Sequence, residues 1–277
     1  MKRKIYIFGH TGYIGSSLLK SLNDVNFDTI GCKIPRPNSV NLEAFYINFI
    51  KEFLDNNKDI FCIINSAGSI NCETKEDYFF NSKFDAIFQS LLIEKKIDLK
   101  YLSFNSTKVF TSGLDKYALS KKDLKNNFKN KKNFYTLYID LVFEDNSPHF
   151  DKIKETIMKI KLFFIPVFYP GKSFYPIDLN SLNNTIKEIL FGNFKTHNFI
   201  IIGNKKINFN ELIEYVNKAS NINKKILYIP SQLISFFPSF LKKILLKSKF
   251  FQQYENYDWL KALDTDKYLI RKPNNKF

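Results

Sequence analysis

Cysteine is scarce in this chain. Cys32, Cys62 and Cys72 are the only three in 277 residues, and they form neither a Cys-x-x-Cys pair nor an even framework. This excludes a disulfide-stapled scaffold and fits ordinary thiols in a reducing compartment. Histidine is as rare, and the three copies at positions 10, 149 and 197 are scattered. No metal site is expected from them. Long apolar runs are missing too: nowhere do the roughly 18 consecutive apolar residues of a membrane-spanning helix occur. Ile5–Phe8 follows the basic Met1-Lys2-Arg3-Lys4 but stops at Gly9, too soon for a signal peptide. The expectation is a soluble, cytoplasmic protein with no transmembrane segment.

Acidic residues are few relative to basic ones. Asp and Glu number 27 against 42 Lys and Arg, a net charge of +15. Such a field attracts anions of every kind, from nucleic acid to phosphorylated small molecules. The lysines are spread along the chain, densest at 121–132 and 242–249, with no base-reading motif beside them. The charge therefore reads as a bias towards anionic ligands, with no nucleic acid as partner. Hydrophobic residues make up 44% of the chain and aromatics 17%, enough for a full globular core.

Short apolar runs alternate with segments of helical periodicity. Strands are expected at 4–8, 27–34, 59–65, 99–105, 134–143 and 199–203. Helices are expected at 13–22, 42–56, 77–95, 117–128, 153–164 and 179–191. Asn208 and Glu211 form a capping box ahead of a further helix over 212–219. Phe174–Ile177 reads as a short extended piece. Strand–helix alternation argues for an α/β fold, a Rossmann doubly wound parallel sheet with a smaller C-terminal α/β substrate subdomain. Residues 1–165 are assigned to the nucleotide-binding domain and 166–277 mostly to the subdomain, the strand near 199–203 returning to the main sheet or flanking it. Phe240–Phe251 is apolar and basic, a subdomain helix or a membrane-surface one.

Gly9, Gly12 and Gly15 sit between the first strand and the first helix. The first allows a tight turn, the second lets backbone approach a pyrophosphate, and the third lets helix and strand pack closely. Thr11, Tyr13 and Ile14 share this phosphate-facing turn. An NAD-binding chain places an acid at the end of the second strand, to hold the adenosine ribose. Here that region offers Lys33 and Arg36 and no acid. The basic pair suits the 2′-phosphate of NADP rather than NAD, the alternative being two solvated loop charges. Further on, Tyr117 and Lys121 lie four residues apart, on one face of a helix. A nearby cation favours phenolate, which suits a general acid/base. Ser103–Thr107 ends the preceding strand at its carboxyl edge, where open α/β sheets bind ligands.

Gly9-x-x-Gly12-x-x-Gly15, Ser106-Thr107-Lys108-Val109-Phe110 and Tyr117-x-x-x-Lys121 together resemble the extended short-chain dehydrogenases/reductases acting on nucleotide sugars. Within these, the likeness runs towards dTDP-4-dehydrorhamnose reductases. Weaker echoes are Asn65-Ser66-Ala67-Gly68, Asn81, Phe174–Leu179 and Phe199–Asn204. The resemblance implies that Tyr117 moves the proton, Lys121 binds the nicotinamide ribose and lowers the Tyr117 pKa, and Ser106, or Thr107 in its place, polarises the carbonyl. It also implies that Ser66, Ala67, Gly68 and Asn81 lie along the cofactor, although Asn81 could equally be an ordinary helix residue. Where sugar-nucleotide dehydratases resemble one another in carrying two acids, this chain has Thr107 and Lys108, so dehydration is not expected. Ile139-Asp140-Leu141 replaces a frequent Arg-Pro-Gly, which removes any carry-over of substrate contacts there.

The resemblance thus implies an NADPH-dependent reductase of a nucleoside-diphosphate keto-sugar, in surface polysaccharide or deoxysugar biosynthesis, as a possible homodimer. The alternatives are a sugar-nucleotide C4 epimerase, or a catalytically silent NADP-binding sensor or assembly protein.

Overall fold

Among the described residues seven strands run parallel in one sheet, whose inner strands are apolar and mostly buried while the edge strands at its two ends are only partly covered. The computed structural model describes residues 2–23, 27–37, 41–70, 72–111, 115–128, 131–169, 171–192, 194–230, 260, 263 and 267–273. The strands are β1 (Arg3–Phe8), β2 (Phe27–Cys32), β3 (Ile60–Asn65), β4 (Lys100–Ser106), β5 (Phe134–Ile139), β8 (Asn198–Ile201) and β11 (Leu269–Arg271). Between these lie two shorter pairs, β6 (Phe164–Tyr169) with β10 (Lys225–Pro230), and β7 (Ser173–Phe174) with β9 (Ile207–Asn208). The sheet order is β11-β8-β5-β4-β3-β1-β2. From β1 the chain moves outward to β2, then returns to the other side of β1 for β3. The carboxyl ends of β1 and β3 therefore diverge, the topological switch point at which such sheets bind ligands.

The helices are α1 (Tyr13–Ser21), α2 (Leu42–Asn56), α3 (Lys75–Glu94), α4 (Lys116–Asn127), α5 (Pro148–Lys159), α6 (Leu179–Phe191) and α7 (Phe209–Ala219). Side chains cap most of them at the N-terminus: Asn41, Thr74, Asp115, Ser147 and Asn208 each accept a backbone N–H. Thr74 with Asp77, and Asn208 with Glu211, form full capping boxes.

The chain divides into two compact units. The first comprises Met1–Asp140, Leu179–Ile201 and Asp264–Pro273, and the second Leu141–Asp178, Ile202–Leu263 and Asn274–Phe277. This differs from a cut at residue 165. β5 stops at Ile139, and Val142 pairs instead with Ile177. The returning strand β8 lies within the main sheet, paired to β5. Helix α5 starts earlier than its periodicity suggests, because Ser147 caps it and Pro148 occupies its first turn. Phe164 belongs to a strand rather than to that helix. β6 and β10 both contain proline, tolerated because each is an edge strand of a two-stranded sheet. The segment Phe240–Phe251 lies outside the described residues.

Each unit has its own core. In the first, Phe8 meets Phe49, Phe53, Phe84 and Phe88 edge to face, and Phe88 continues the chain of rings to Tyr101. In the second, Phe143, Phe150, Ile157, Ile165, Leu212 and Val216 form a separate cluster between α5, α7 and β6. No described helix is long and apolar enough to cross a membrane. Phe88 is fully buried and touches four other rings. Phe88→Ala is expected to lower the unfolding free energy by about 3–5 kcal/mol, read from urea denaturation. A loss below about 1 kcal/mol would mean that the ring cluster does not hold α3 to the sheet.

Candidate active site

At the end of β1 three backbones touch. Gly9 has φ 80°, and a Cβ there would lie 2.5 Å from the Ala67 nitrogen and 2.7 Å from its Cα. A Cβ on Gly15 would collide with the Gly9 carbonyl and stand 2.7 Å from Ser66 Oγ. Ser66 closes the arrangement by donating both its N–H (3.0 Å) and its hydroxyl (2.9 Å) to the Phe8 carbonyl. The Gly12 N–H donates to Gly9 O at 2.9 Å, making the tight turn. Gly12 then serves as the N-cap of α1 with no side chain to offer, so no side chain caps this helix. Its first turn, starting at Tyr13 and Ile14, holds no acid, and Thr11 beside it is exposed. The helix start is thus set up to receive an anion.

The end of β2 adds a residue that the sequence reading passed over. The His10 ring lies against Gly31, where a Cβ would stand 2.5 Å from His10 Cδ2. Its Nδ1 is 3.1 Å from the Cys32 carbonyl. Since a carbonyl only accepts, that bond places a proton on Nδ1. Lys33 follows and is exposed. Arg36 is exposed too and meets Asp77 of α3 at 3.5 Å. The arginine end of this pair is open to solvent and its contact is long, so turning Arg36 to another anion costs little. The signal that could have revealed His10 is the glycine opposite it, in a strand where glycine is unfavourable.

The loop after β3 is fastened from both sides. Asn65 Oδ1 accepts from Ala67 N at 3.1 Å. Asn81 pairs with Ser69 twice, accepting its N–H at 2.9 Å and donating to its carbonyl at 2.8 Å. The Asn81 amide is therefore occupied by the loop backbone, which makes it the clamp of the Ser66–Ser69 segment. Gly68 stands over this clamp: a Cβ there would lie 3.4 Å from Asn81 Oδ1 and 3.7 Å from Lys121 Nζ.

Ser106 ends β4 and caps the short 3-10 turn Thr107–Phe110 by accepting Lys108 N–H at 3.3 Å. Its hydroxyl also lies close enough to the Tyr117 phenol, on the first turn of α4, to favour the phenolate. Burial pushes the Tyr117 pKa up, as does Asp115, while the Ser106 hydrogen bond works in the opposite direction, and the outcome is a value pushed up to about 12. This corrects the expectation that Lys121 lowers it. Lys121 is buried at 4% exposure and donates from Nζ to the Phe104 carbonyl at 3.1 Å, so its charge is directed into the sheet edge rather than at the phenol. The cation that does face Tyr117 is Lys108, 5.6 Å from the ring centroid and bridged to Asp115 at 3.2 Å. Burial holds the Lys121 pKa below its ordinary value, with Asp85 and then Cys72 opposing. Thr107 is corrected as well: its hydroxyl donates to Asp140 at 2.7 Å, so it does not stand in for Ser106. Among the described residues no group of His, Cys, Asp and Glu is arranged to hold a metal.

Gly9→Ala should abolish the turn, since the added methyl meets Ala67 backbone and the φ is unfavourable for any L side chain. The expected result is a clear fall in melting temperature. An unchanged melting temperature would contradict the contact.

No protein-family model matches the chain, and no curated protein sequence does either. Solved structures do match. A dTDP-4-dehydrorhamnose reductase from Clostridium acetobutylicum has a TM-score of 0.65 at 15% identity, over 94% of this chain and 97% of that one. One from Bacillus anthracis, in complex with NADP, gives 0.64 at 14% over 84% and 86%. A GDP-mannoheptose C4 reductase from Campylobacter jejuni, with NADP bound, gives 0.59 at 16% over 83% and 88%. At such identities the likeness is one of fold: the chain has the Rossmann-type α/β architecture of these proteins.

Proposed function

We propose that the chain is an NADPH-dependent reductase of a keto-sugar carried on a nucleoside diphosphate. The observation that carries this reading is the Ser106 hydroxyl reaching Tyr117 one helical turn before a buried Lys121, at the carboxyl edge of the sheet. The residues present fit the cofactor. Gly9 and Gly15 let α1 start close above the end of β1 and beside the Ser66–Ala67 backbone, the uncapped start of α1 suits a pyrophosphate, and Lys33 with Arg36 suits a 2′-phosphate. When bound, NADPH supplies the hydride that goes to the carbonyl carbon.

The chain's own residues manage the oxygen. With its pKa pushed up to about 12, Tyr117 is fully protonated at neutral pH and is therefore an acid, able to give its proton to the carbonyl oxygen as charge develops there. Ser106 donates to that same oxygen and then to the phenolate left on Tyr117, easing the proton's departure. Lys121 has three N–H bonds and spends one on Phe104, leaving donors for ribose hydroxyls. Asn81 holds the Ser66–Ser69 loop in place beside it. Solved structures of this fold described as nucleotide-sugar reductases support the same reading.

The test is a panel of nucleoside-diphosphate keto-sugars offered with NADPH and with NADH, following loss of nicotinamide absorbance. NADPH consumption with at least one of them is expected, and Tyr117→Phe should reduce kcat by about 10²–10⁴. No consumption with any member would sink the reductase reading. The double variant Lys33→Ala/Arg36→Ala should weaken NADPH by about tenfold or more, since a charge-assisted bond is worth roughly 1.5–3 kcal/mol, and leave NADH affinity unchanged. Equal weakening of both would remove the 2′-phosphate assignment.

A further inference from the structure

We propose that Asp85 is the buried counter-charge of Lys121, a positioning residue that keeps the Lys121 ammonium protonated and seated on the Phe104 carbonyl. The role rests on the reading of Lys121 given above.

Asp85 lies in the middle of α3 at 3% exposure, next to the fully buried Phe84 and three residues before the fully buried Phe88. A carboxylate in such surroundings is costly unless it is both hydrogen-bonded and compensated in charge. The hydrogen bonds are there. Asn65 Nδ2 donates at 2.7 Å, the Tyr101 hydroxyl at 2.5 Å and the Ser103 hydroxyl at 2.6 Å. All three donors are neutral, so they satisfy the carboxylate oxygens without balancing a charge on them.

The balancing charge is Lys121. Its ammonium is bound to the carbonyl of Phe104, the residue directly after Ser103. It also approaches the Gly68 site shared with Asn81 Oδ1, and Asn81 sits one turn before Asp85 on α3. The two ions act through space: the direct ion pairs among the described residues are Arg36–Asp77, Lys95–Asp55, Lys108–Asp115 and Lys159–Glu155. Burial pulls the Lys121 pKa down, and the charge interactions that push it back up come first from Asp85 and then from Cys72. Tyr117, one turn earlier on α4, is protonated in the free protein and adds no charge. Asp85 is thus the carboxylate that holds the lysine in its cationic form, while Asn65 ties the same carboxylate to the loop at Ala67.

Asp85→Asn separates charge from hydrogen bonding. Its oxygen still accepts from Asn65 and Tyr101, and its new N–H can donate to Ser103, a hydroxyl that also accepts. Two measurements read the charge alone. In the first, turnover and NADPH binding (nicotinamide fluorescence) are followed against pH. Asp85→Asn should move the loss at high pH downward by about one unit or more, because Lys121 gives up its proton sooner; an unmoved limb overturns the proposal. The second is a melting-temperature cycle with Lys121→Met, which needs no substrate. Lys121→Met alone strands the carboxylate and lowers the melting temperature, and adding Asp85→Asn should raise it again. A simple structural anchor would instead give the same loss from Asp85→Asn in both backgrounds. Failure of Asp85→Asn to fold in either background would also overturn the proposal. Coupling in the cycle without turnover on any keto-sugar would leave the ion pair standing and sink only the reductase reading.

Discussion

The contact on which the site depends is the meeting of Gly9 with Gly15 and with the Ser66–Ala67 backbone. No side chain intervenes there, so α1 can start directly above the end of β1 and the loop after β3 can pass within van der Waals distance of it. The two hydrogen bonds from Ser66 to Phe8 hold that approach in place. Once the β3 loop is pinned, Gly68 and Asn81 are fixed, and with them the surroundings of Lys121. A steric condition at one turn therefore reaches the residues assigned to proton transfer, which lie on two elements far along the chain.

Behind the site the protein places polar groups against an aromatic core. Asp85 and Asn81 lie on the same helix as Phe84 and Phe88, and Tyr101 joins the ring cluster through its ring while its hydroxyl serves Asp85. An unsatisfied polar group in such a place costs roughly 1–3 kcal/mol. Each of these groups has a partner, so few alternative arrangements are open to them. That rigidity is what positioned acid/base chemistry requires. The cations at the rim, Arg36 beside Asp77 and Lys108 beside Asp115, are of the other kind: exposed, weakly held, and able to turn to another anion when one arrives.

The positive charge acquires a more definite meaning from this arrangement. Spread over the sequence, it says only that anions are attracted. In the fold, Lys33 and Arg36 follow β2 beside the His10 ring, Lys108 lies over Tyr117, and Lys121 is buried with its ammonium on the Phe104 carbonyl. Four cations of similar chemistry thus differ in exposure and in partner, and so in what each can do.

The sequence by itself determined the elements and the turn. Glycines at 9, 12 and 15 between an apolar run and a helical one admit few backbone paths, and strand–helix alternation leaves a parallel sheet as the economical way to bury both faces. The Tyr117–Lys121 spacing fixes a shared helix face. Periodicity fared worse where a strand is short or carries proline, as at β6, β10 and β11, since two or three alternations resemble a loop. Only the tertiary structure decided which hydroxyl meets Tyr117, because Ser106 and Thr107 are adjacent in sequence and the turn after β4 directs one to the phenol and the other to Asp140. It also decided the electrostatics. Whether Lys121 lowers the Tyr117 pKa depends on what desolvates each group and which acceptor holds the ammonium. Phe104 O, Asp85 and Cys72 are brought to Lys121 by packing between distant segments, which no local spacing encodes.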